Sequence, residues 1–275
     1  MPELPEVETI VRGLKPGLVD RSIRRVRIQR PDVLRQPPRS FSAGLRGRSV
    51  ESVTRRGKNI VIALTGDRVL IVNLGMTGRL LLAGPTVRTT HPAVRFTLDR
   101  GPALVFDDVR RFGALEVLTA DDWARRSETL GPEPLSAGYT ASRLRADLAR
   151  SSSPIRSWLL DQRRVAGVGN IYANEALYLA GVHPQRPAKS ISESEARALH
   201  RAIRKVLRQA IRNRGTTLRN YRDASGSPGE NLVALLVYGR AGEPCLHCAT
   251  GVRRLVFGNR SAFYCPSCQP DSSST

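Results

Sequence analysis

Apolar residues near the start of the chain recur at helical spacing (Val7, Ile10, Val11, Leu14), and Lys15-Pro16-Gly17 stops the run, which predicts one short helix. The period then shortens. Stretches at 22–29, 50–54, 59–64, 68–74, 79–83, 93–98, 103–107 and 113–118 are short and rich in valine, isoleucine and leucine. Several alternate apolar with polar, as in SIRRVRIQ, and Gly66-Asp67 and Arg100-Gly101-Pro102 supply turns. This pattern predicts a β-sandwich or barrel of about eight strands behind a single helix. The spacers are too short for the helical crossovers of a parallel sheet.

Patterning changes again at 132–138, PEPLSAG, a linker composition after which helical spacing dominates. The expected organisation is multidomain α+β: a sandwich domain over 1–133, a helical domain over 134–238 and a small cysteine-bearing domain over 239–275. The clearest helix spans 193–212, where Ser192 and Glu195 have capping-box spacing and Ala196, Leu199, Ile203, Val206 and Ala210 form the buried stripe. Arg201, Arg204, Lys205, Arg208 and Arg212 fall on its other faces. Between 151 and 181, two helices flank the turn VAGVGN, and amides near Gly167 and Gly169 could converge on a phosphate. Residues 213–231, NRGTTLRNYRDASGSPGEN, predict a mobile loop.

Charge adds a partner. Forty-four basic and 24 acidic residues leave a formal charge of +20 on a chain of 275 residues that is 40% hydrophobic. That composition folds, so the excess charge points to a polyanion, nucleic acid first and an acidic membrane surface second. No stretch is long and apolar enough for a membrane span or a signal peptide, so neither membrane insertion nor export is expected. Cys245, Cys248, Cys265 and Cys268 form two C-x2-C pairs with 16 residues between them. Clustered thiols in an otherwise cysteine-free, unexported chain predict one tetrahedral, structural Zn²⁺ with no open coordination position, a four-cysteine iron centre being the alternative. The segment between the pairs predicts a hairpin with arms at 253–257 and 261–264 around Gly258-Asn259.

No nucleophile is evident from composition. No cysteine lies outside the metal set, and His91, His183, His200 and His247 form no cluster in the sequence. Glu3 and Glu6 are three apart at a helix start, so both can approach one helix end, where the dipole favours their charged forms. From the residues alone, a plain acidic helix cap is the preferred account of them.

The chain does, however, resemble the formamidopyrimidine-DNA glycosylases, bacterial enzymes that excise oxidised purines. The likeness runs from MPELPEVET through RRGKN, NLGMTG, DDVRRFG, LGPEPLS, VAGVGNIYANE, RGTTL and VYGRAGEPC to FYCPSCQ. It implies a β-sandwich, a helix–two-turn–helix domain, a DNA-binding cleft and an appended zinc finger. It implies removal of Met1, leaving Pro2 as a secondary-amine nucleophile with Glu3 as general acid–base, Glu6 ordering the site and Lys58 assisting it. His91, Asn170 and Arg260 match phosphate-gripping residues, and Met76, Arg110 and Phe112 match residues that fill the gap left by an extruded nucleotide. Thr216, Thr217 and Tyr221 belong to the segment that caps the extruded base. The implied partner is double-stranded DNA with oxidised bases or abasic sites, bound by a monomer in the bacterial cytoplasm. Without the resemblance, Met76 and Phe112 read as core or turn residues, and Lys58, His91 and Arg260 as solvated side chains.

Some positions depart from the family pattern. Asn73 stands where histidine is common and Arg156 where lysine is common. The segment after Thr217 lacks the aromatic usual after PG and the glutamine usual before VYGR. That leaves the preference between 8-oxoguanine and ring-opened purines open. The sister group resembling endonuclease VIII, which acts on oxidised pyrimidines, usually opens PEGPE; Leu4 argues for the purine branch, and the pyrimidine branch stays the runner-up because base specificity is distributed through loops. A non-catalytic zinc-finger DNA-binding protein is a further alternative, countered by the intact Pro2, Glu3, Glu6 and Lys58. A zinc-ribbon RNA-binding module would leave the N-terminal carboxylates unexplained.

Overall fold

The computed structural model describes residues 2–85, 87–257 and 260–271. The chain divides into two units, one formed by Met1–Thr129 with Ala210–Leu232 and the other by Leu130–Gln209 with Val233–Thr275.

The first unit opens with α1 (Leu4–Leu18) and continues through β1 (Ile23–Ile28), α2 (Pro38–Ala43), β2 (Val50–Arg56), β3 (Asn59–Leu64) and β4 (Arg68–Asn73). Then come β5 (Arg79–Ala83), β6 (Pro92–Leu98), β7 (Ala103–Asp107), β8 (Ala114–Leu118) and α3 (Ala120–Glu128). The strands form two four-stranded antiparallel sheets ordered β1-β6-β7-β5 and β2-β3-β4-β8, so the expected sandwich is present with all eight strands close to their predicted places. Alternation explains the burial of the second sheet. Ile60, Ile62, Leu64, Leu70 and Val72 face the main core with Val7, Ile10, Val11 and Leu14 of α1. Val61, Val69 and Ile71 point to the opposite face, where Trp123 of α3 and Leu118 cover them. That second cover is why β4 reads as an unbroken apolar run.

Two expectations are corrected here. The first helix does not stop at Pro16 but runs to Leu18, which is buried. Proline there removes a single N–H in a turn that is already ending, and burying Leu18 offsets the loss by about 1.5–3 kcal/mol. Nor is 213–231 a loose loop. Tyr221 and Ala224 are buried in the sandwich core, and Ala224 accepts a backbone bond from Leu82 (3.0 Å). Asp223 Oδ1 accepts from the Ser225 and Ser227 amides (3.0 and 2.9 Å). Polar, glycine-rich composition here encodes turns bonded to their own side chains.

In the second unit, α4 (Ala141–Leu148), α5 (Ile155–Leu160), α6 (Asn170–Leu179) and α7 (Glu193–Arg212) precede the hairpin β9 (Arg253–Phe257) and β10 (Arg260–Tyr264). Its turn, Gly258-Asn259, lies outside the described residues. The capping box of α7 is formed: Ser192 donates its N–H to Glu195 (2.8 Å) and its Oγ accepts from the Glu195 amide (3.2 Å). The predicted stripe is buried. Arg204, however, is not part of a free basic face. Its Nη1 donates to the carbonyls of Pro134 and Ser136 (3.0 and 2.9 Å), tying α7 to the chain after β8 and α3. Arg201, Lys205, Arg208 and Arg212 are exposed.

Candidate functional site

In the first unit the site begins where α1 begins. Pro2, Glu3 and Glu6 are all buried. Glu3 is the extended N-cap (φ −108°) and forms a capping box with Glu6. Glu6 Oε2 accepts the Glu3 N–H (2.8 Å), and its Oε1 accepts the Thr216 N–H (2.8 Å). One carboxylate therefore ties the chain start to a segment 210 positions away. Gly215 makes this approach possible: it has φ +84°, and a Cβ there would lie 3.0 Å from Glu6 Cγ and Oε1. Asn231 Nδ2 donates to Thr216 Oγ1 (3.0 Å), while Thr217 Oγ1 accepts from Gly229 N (2.8 Å) and donates to Tyr221 O (3.2 Å). The Tyr221 hydroxyl donates to Arg214 O (3.0 Å), and burial, then the Glu6 charge, push its pKa up and keep it a donor. The structure thus brings Thr216, Thr217 and Tyr221 together around Glu6.

Lys58 sits half-buried in the two-residue turn between β2 and β3, beside Gly57 (φ +58°). Arg55 links this turn to α1, donating to Gly57 O (3.0 Å) and pairing with Glu8 (3.1 Å). Burial raises the Glu8 carboxyl, but Arg12 and Arg55 outweigh it and hold the group below its ordinary range.

Met76, Arg110, Phe112 and His91 are brought together by two buried carboxylates of the DDVRRFG segment, neither of which stands out in the sequence. Asp107 accepts the His91 N–H (2.5 Å) and pairs with Arg79 (2.5 Å). Asp108 accepts from the Thr77 hydroxyl (2.5 Å), the Arg110 amide (3.3 Å) and the Gly113 amide (2.9 Å). Gly75 (φ +56°) presses so close that a Cβ would meet the Phe112 carbonyl at 2.5 Å. Pinned this way, the two loops present Met76 (43% exposed) and Phe112 (56% exposed), with the Arg110 guanidinium 4.4 Å above the Phe112 ring. These are not core residues. The Asn73 amide is taken up locally by Asn59 Oδ1 (3.0 Å) and the Gly75 N–H (3.0 Å). Asp108→Ala leaves two buried donors, the Thr77 hydroxyl and the Gly113 amide, without this acceptor, while the Arg110 amide keeps Thr77 Oγ1 (3.1 Å). It is expected to destabilise the protein by about 3 kcal/mol, read as a lower urea midpoint.

In the second unit, Gly167 (φ +89°) shapes the turn between α5 and α6, but its N–H donates to Gln162 Oε1 (2.8 Å). That amide is therefore not offered to a phosphate. Asn170 opens α6, half-buried. The buried Arg156 of α5 donates through Nη2 to Asn170 Oδ1 (2.6 Å) and to Ser261 O (2.9 Å) in β10, next to the exposed Arg260. Burial, then the charge of Arg260, bring the Arg156 pKa down to about 10. Further along α6, Asn174 Oδ1 accepts the Phe263 N–H (2.7 Å). Glu175, 3% exposed, accepts the amides of Leu236, Val237 and Tyr238 (2.8, 3.0 and 2.8 Å). Neither Asn174 nor Glu175 stands out in the sequence, because their partners lie 89 and about 62 positions away.

The four cysteines form the metal-ligating group found among the described residues, with all four sulfurs within 4.8 Å of one another. Cys248 lies 3.5 Å from both Cys265 and Cys268, and Cys245 lies 3.9 Å from Cys268. None of the four is paired in a disulfide. Tyr178 Oη lies 3.1 Å from Cys245 Sγ, and the backbone N–H groups of His247 and Cys268 point at Cys245 Sγ (3.4 Å) and Cys265 Sγ (3.5 Å). Such donors suit thiolates. A complete sulfur set of this compactness fits one tetrahedral zinc ion and leaves the His247 ring outside it.

Three successive stretches of the chain match known protein families. Residues 1–115 match the formamidopyrimidine-DNA glycosylase N-terminal domain, 130–222 the H2TH domain of the same enzymes, and 242–270 a zinc finger found in FPG and IleRS. The formamidopyrimidine-DNA glycosylase of Chloroflexus aurantiacus is 43% identical over 271 residues, 98% of each chain. That of Moorella thermoacetica is 46% identical over 259 residues, covering 93% of this chain and 94% of the relative. Among solved structures, the MutM (Fpg) protein of Thermus thermophilus superposes with a TM-score of 0.89 at 41% identity, over 98% of this chain and 100% of that one. The Lactococcus lactis Fpg in complex with DNA containing an abasic site gives 0.91 at 32% identity, with the same coverage.

Proposed function

The chain belongs to the formamidopyrimidine-DNA glycosylase family, and we propose that it excises oxidised purines, 8-oxoguanine and formamidopyrimidines, from duplex DNA and then cleaves the strand as an AP lyase. The observation that supports this most is the twofold hold on Glu6, which fixes two buried carboxylates beside Pro2.

With Met1 removed, the Pro2 nitrogen lone pair bonds to C1′ of the damaged nucleotide as the C1′–base bond breaks and the base departs. Glu3 protonates the sugar ring oxygen as C1′–O4′ opens, leaving an iminium ion. The iminium acidifies the C2′ hydrogen, whose removal expels the 3′ phosphate by breaking C3′–O, and a second elimination breaks C5′–O. Glu6 holds the helix start in place, and Lys58 assists from the β2–β3 turn. Met76 and Phe112 fill the vacated stack, and Arg110 bonds the orphaned base. His91, Asn170 and Arg260 take phosphates, while the remaining excess charge serves sequence-independent attraction to DNA. Cys245, Cys248, Cys265 and Cys268 hold one structural Zn²⁺, which supplies folding free energy to a segment too small for its own core. No helix among the described residues is long and apolar enough to cross a membrane, and the protein acts as a monomer in the bacterial cytoplasm.

Borohydride added during turnover tests this. A covalent protein–DNA adduct is expected on a duplex with 8-oxoguanine opposite cytosine, and much less on a duplex with an oxidised pyrimidine. The reverse preference would move the chain to the pyrimidine branch, and no adduct on either would remove the iminium step.

A further inference from the structure

Arg156 is buried, yet its guanidinium is committed to two acceptors on different elements: Asn170 Oδ1 at 2.6 Å and the Ser261 carbonyl at 2.9 Å. A guanidinium only donates, so the amide atom it faces must be the oxygen of Asn170. This fixes which way the amide points. Asn170 Nδ2 then has one hydrogen for Ser261 O (3.2 Å) and a second to offer elsewhere. Asn174 Nδ2 adds a longer bond to the same oxygen, Asn170 Oδ1 (3.4 Å), beside its bond to the Asn170 backbone carbonyl (2.5 Å). The same Nη2 holds the carbonyl of Ser261, the residue after Arg260, and so sets where β10 presents that arginine.

We propose that Arg156 is a positioning residue for phosphate binding: it orients the Asn170 amide and seats the Arg260 strand, and makes no phosphate contact itself. The inference rests on the phosphate roles of Asn170 and Arg260 proposed above. Both bonds leave one nitrogen, Nη2, whose two hydrogens are fixed in the guanidinium plane, whereas a lysine carries the same charge on a freely rotating ammonium at the end of a flexible stem and holds no such fixed pair of directions.

The test is duplex affinity across a salt series for the parent, Arg156→Lys, Arg156→Gln, Asn170→Ala and the Arg156→Lys/Asn170→Ala double variant, each with zinc content and melting temperature measured. Arg156→Lys is expected to lower affinity about tenfold despite its retained charge, with one zinc per chain and an unchanged log K against log[salt] slope. In the Asn170→Ala background the same substitution is expected to cost much less, because the amide it orients is gone. A direct phosphate contact predicts otherwise: Arg156→Gln would lower the slope magnitude by about 0.9 and Arg156→Lys would restore it. That result overturns the proposal, as do full parental affinity in Arg156→Lys and a penalty that adds fully to that of Asn170→Ala. If Asn170→Ala alone leaves affinity unchanged, the phosphate role of Asn170 fails and the positioning role falls with it.

Discussion

Glu3→Gln is expected to slow base excision by about a thousandfold while leaving affinity for the damaged duplex within about threefold. Glutamine is the informative replacement because of what Glu3 does structurally. Its side chain caps α1 by accepting the Glu6 amide, and a glutamine oxygen preserves that acceptor, so the helix start and melting temperature should hold. What glutamine cannot do is give and take the proton at the sugar oxygen. Single-turnover kinetics on an 8-oxoguanine duplex would read the loss. A rate near that of the parent, or a fall in binding matching the fall in rate, would return Glu3 to the status of a helix cap. Protein shown by mass spectrometry to retain Met1 makes the companion test. Its Pro2 nitrogen is an amide without a nucleophilic lone pair, so borohydride trapping should vanish while binding persists.

Cys268→Ser, or zinc stripped by a chelator, is expected to weaken duplex binding by about a hundredfold, because the metal supplies most of the local folding free energy. The finger's own core is small: Tyr178 of α6, Val237, Cys245, Val252 and Cys265 account for its buried cluster. Without the ion the hairpin is no longer held, and β10 loses the registration that seats Ser261 between Arg156 and Asn170. Affinity should fall together with the magnitude of the salt slope, by about 0.9 for each phosphate that the finger no longer neutralises. Metal analysis, limited proteolysis and a salt series together decide it. Zinc-free protein that binds with parental affinity and slope would separate the finger from DNA recognition.

Hydrophobic periodicity alone located α1, the eight sandwich strands and α7 closely, because each must bury one face against a neighbour and the pattern of that face is written locally. The two cysteine pairs were equally legible, since metal ligation needs short, fixed spacing. The ordered motifs gave the family, and with it the candidate roles of Pro2, Glu3, Lys58 and Asn170. Tertiary structure alone decided how these residues are held. The Thr216 amide on Glu6, the burial of Tyr221 and Ala224 in the sandwich, and the Asp107 and Asp108 pins under Met76, Arg110 and Phe112 are not visible in any local window. The same is true of the Arg156 bridge from α5 to α6 and β10, whose partners are 14 and 105 positions away. Local pattern reports which backbone conformation and which buried face a segment prefers. The partner of a buried charge is chosen by chain topology, which brings distant segments together and leaves each such charge to bond whatever donors arrive beside it.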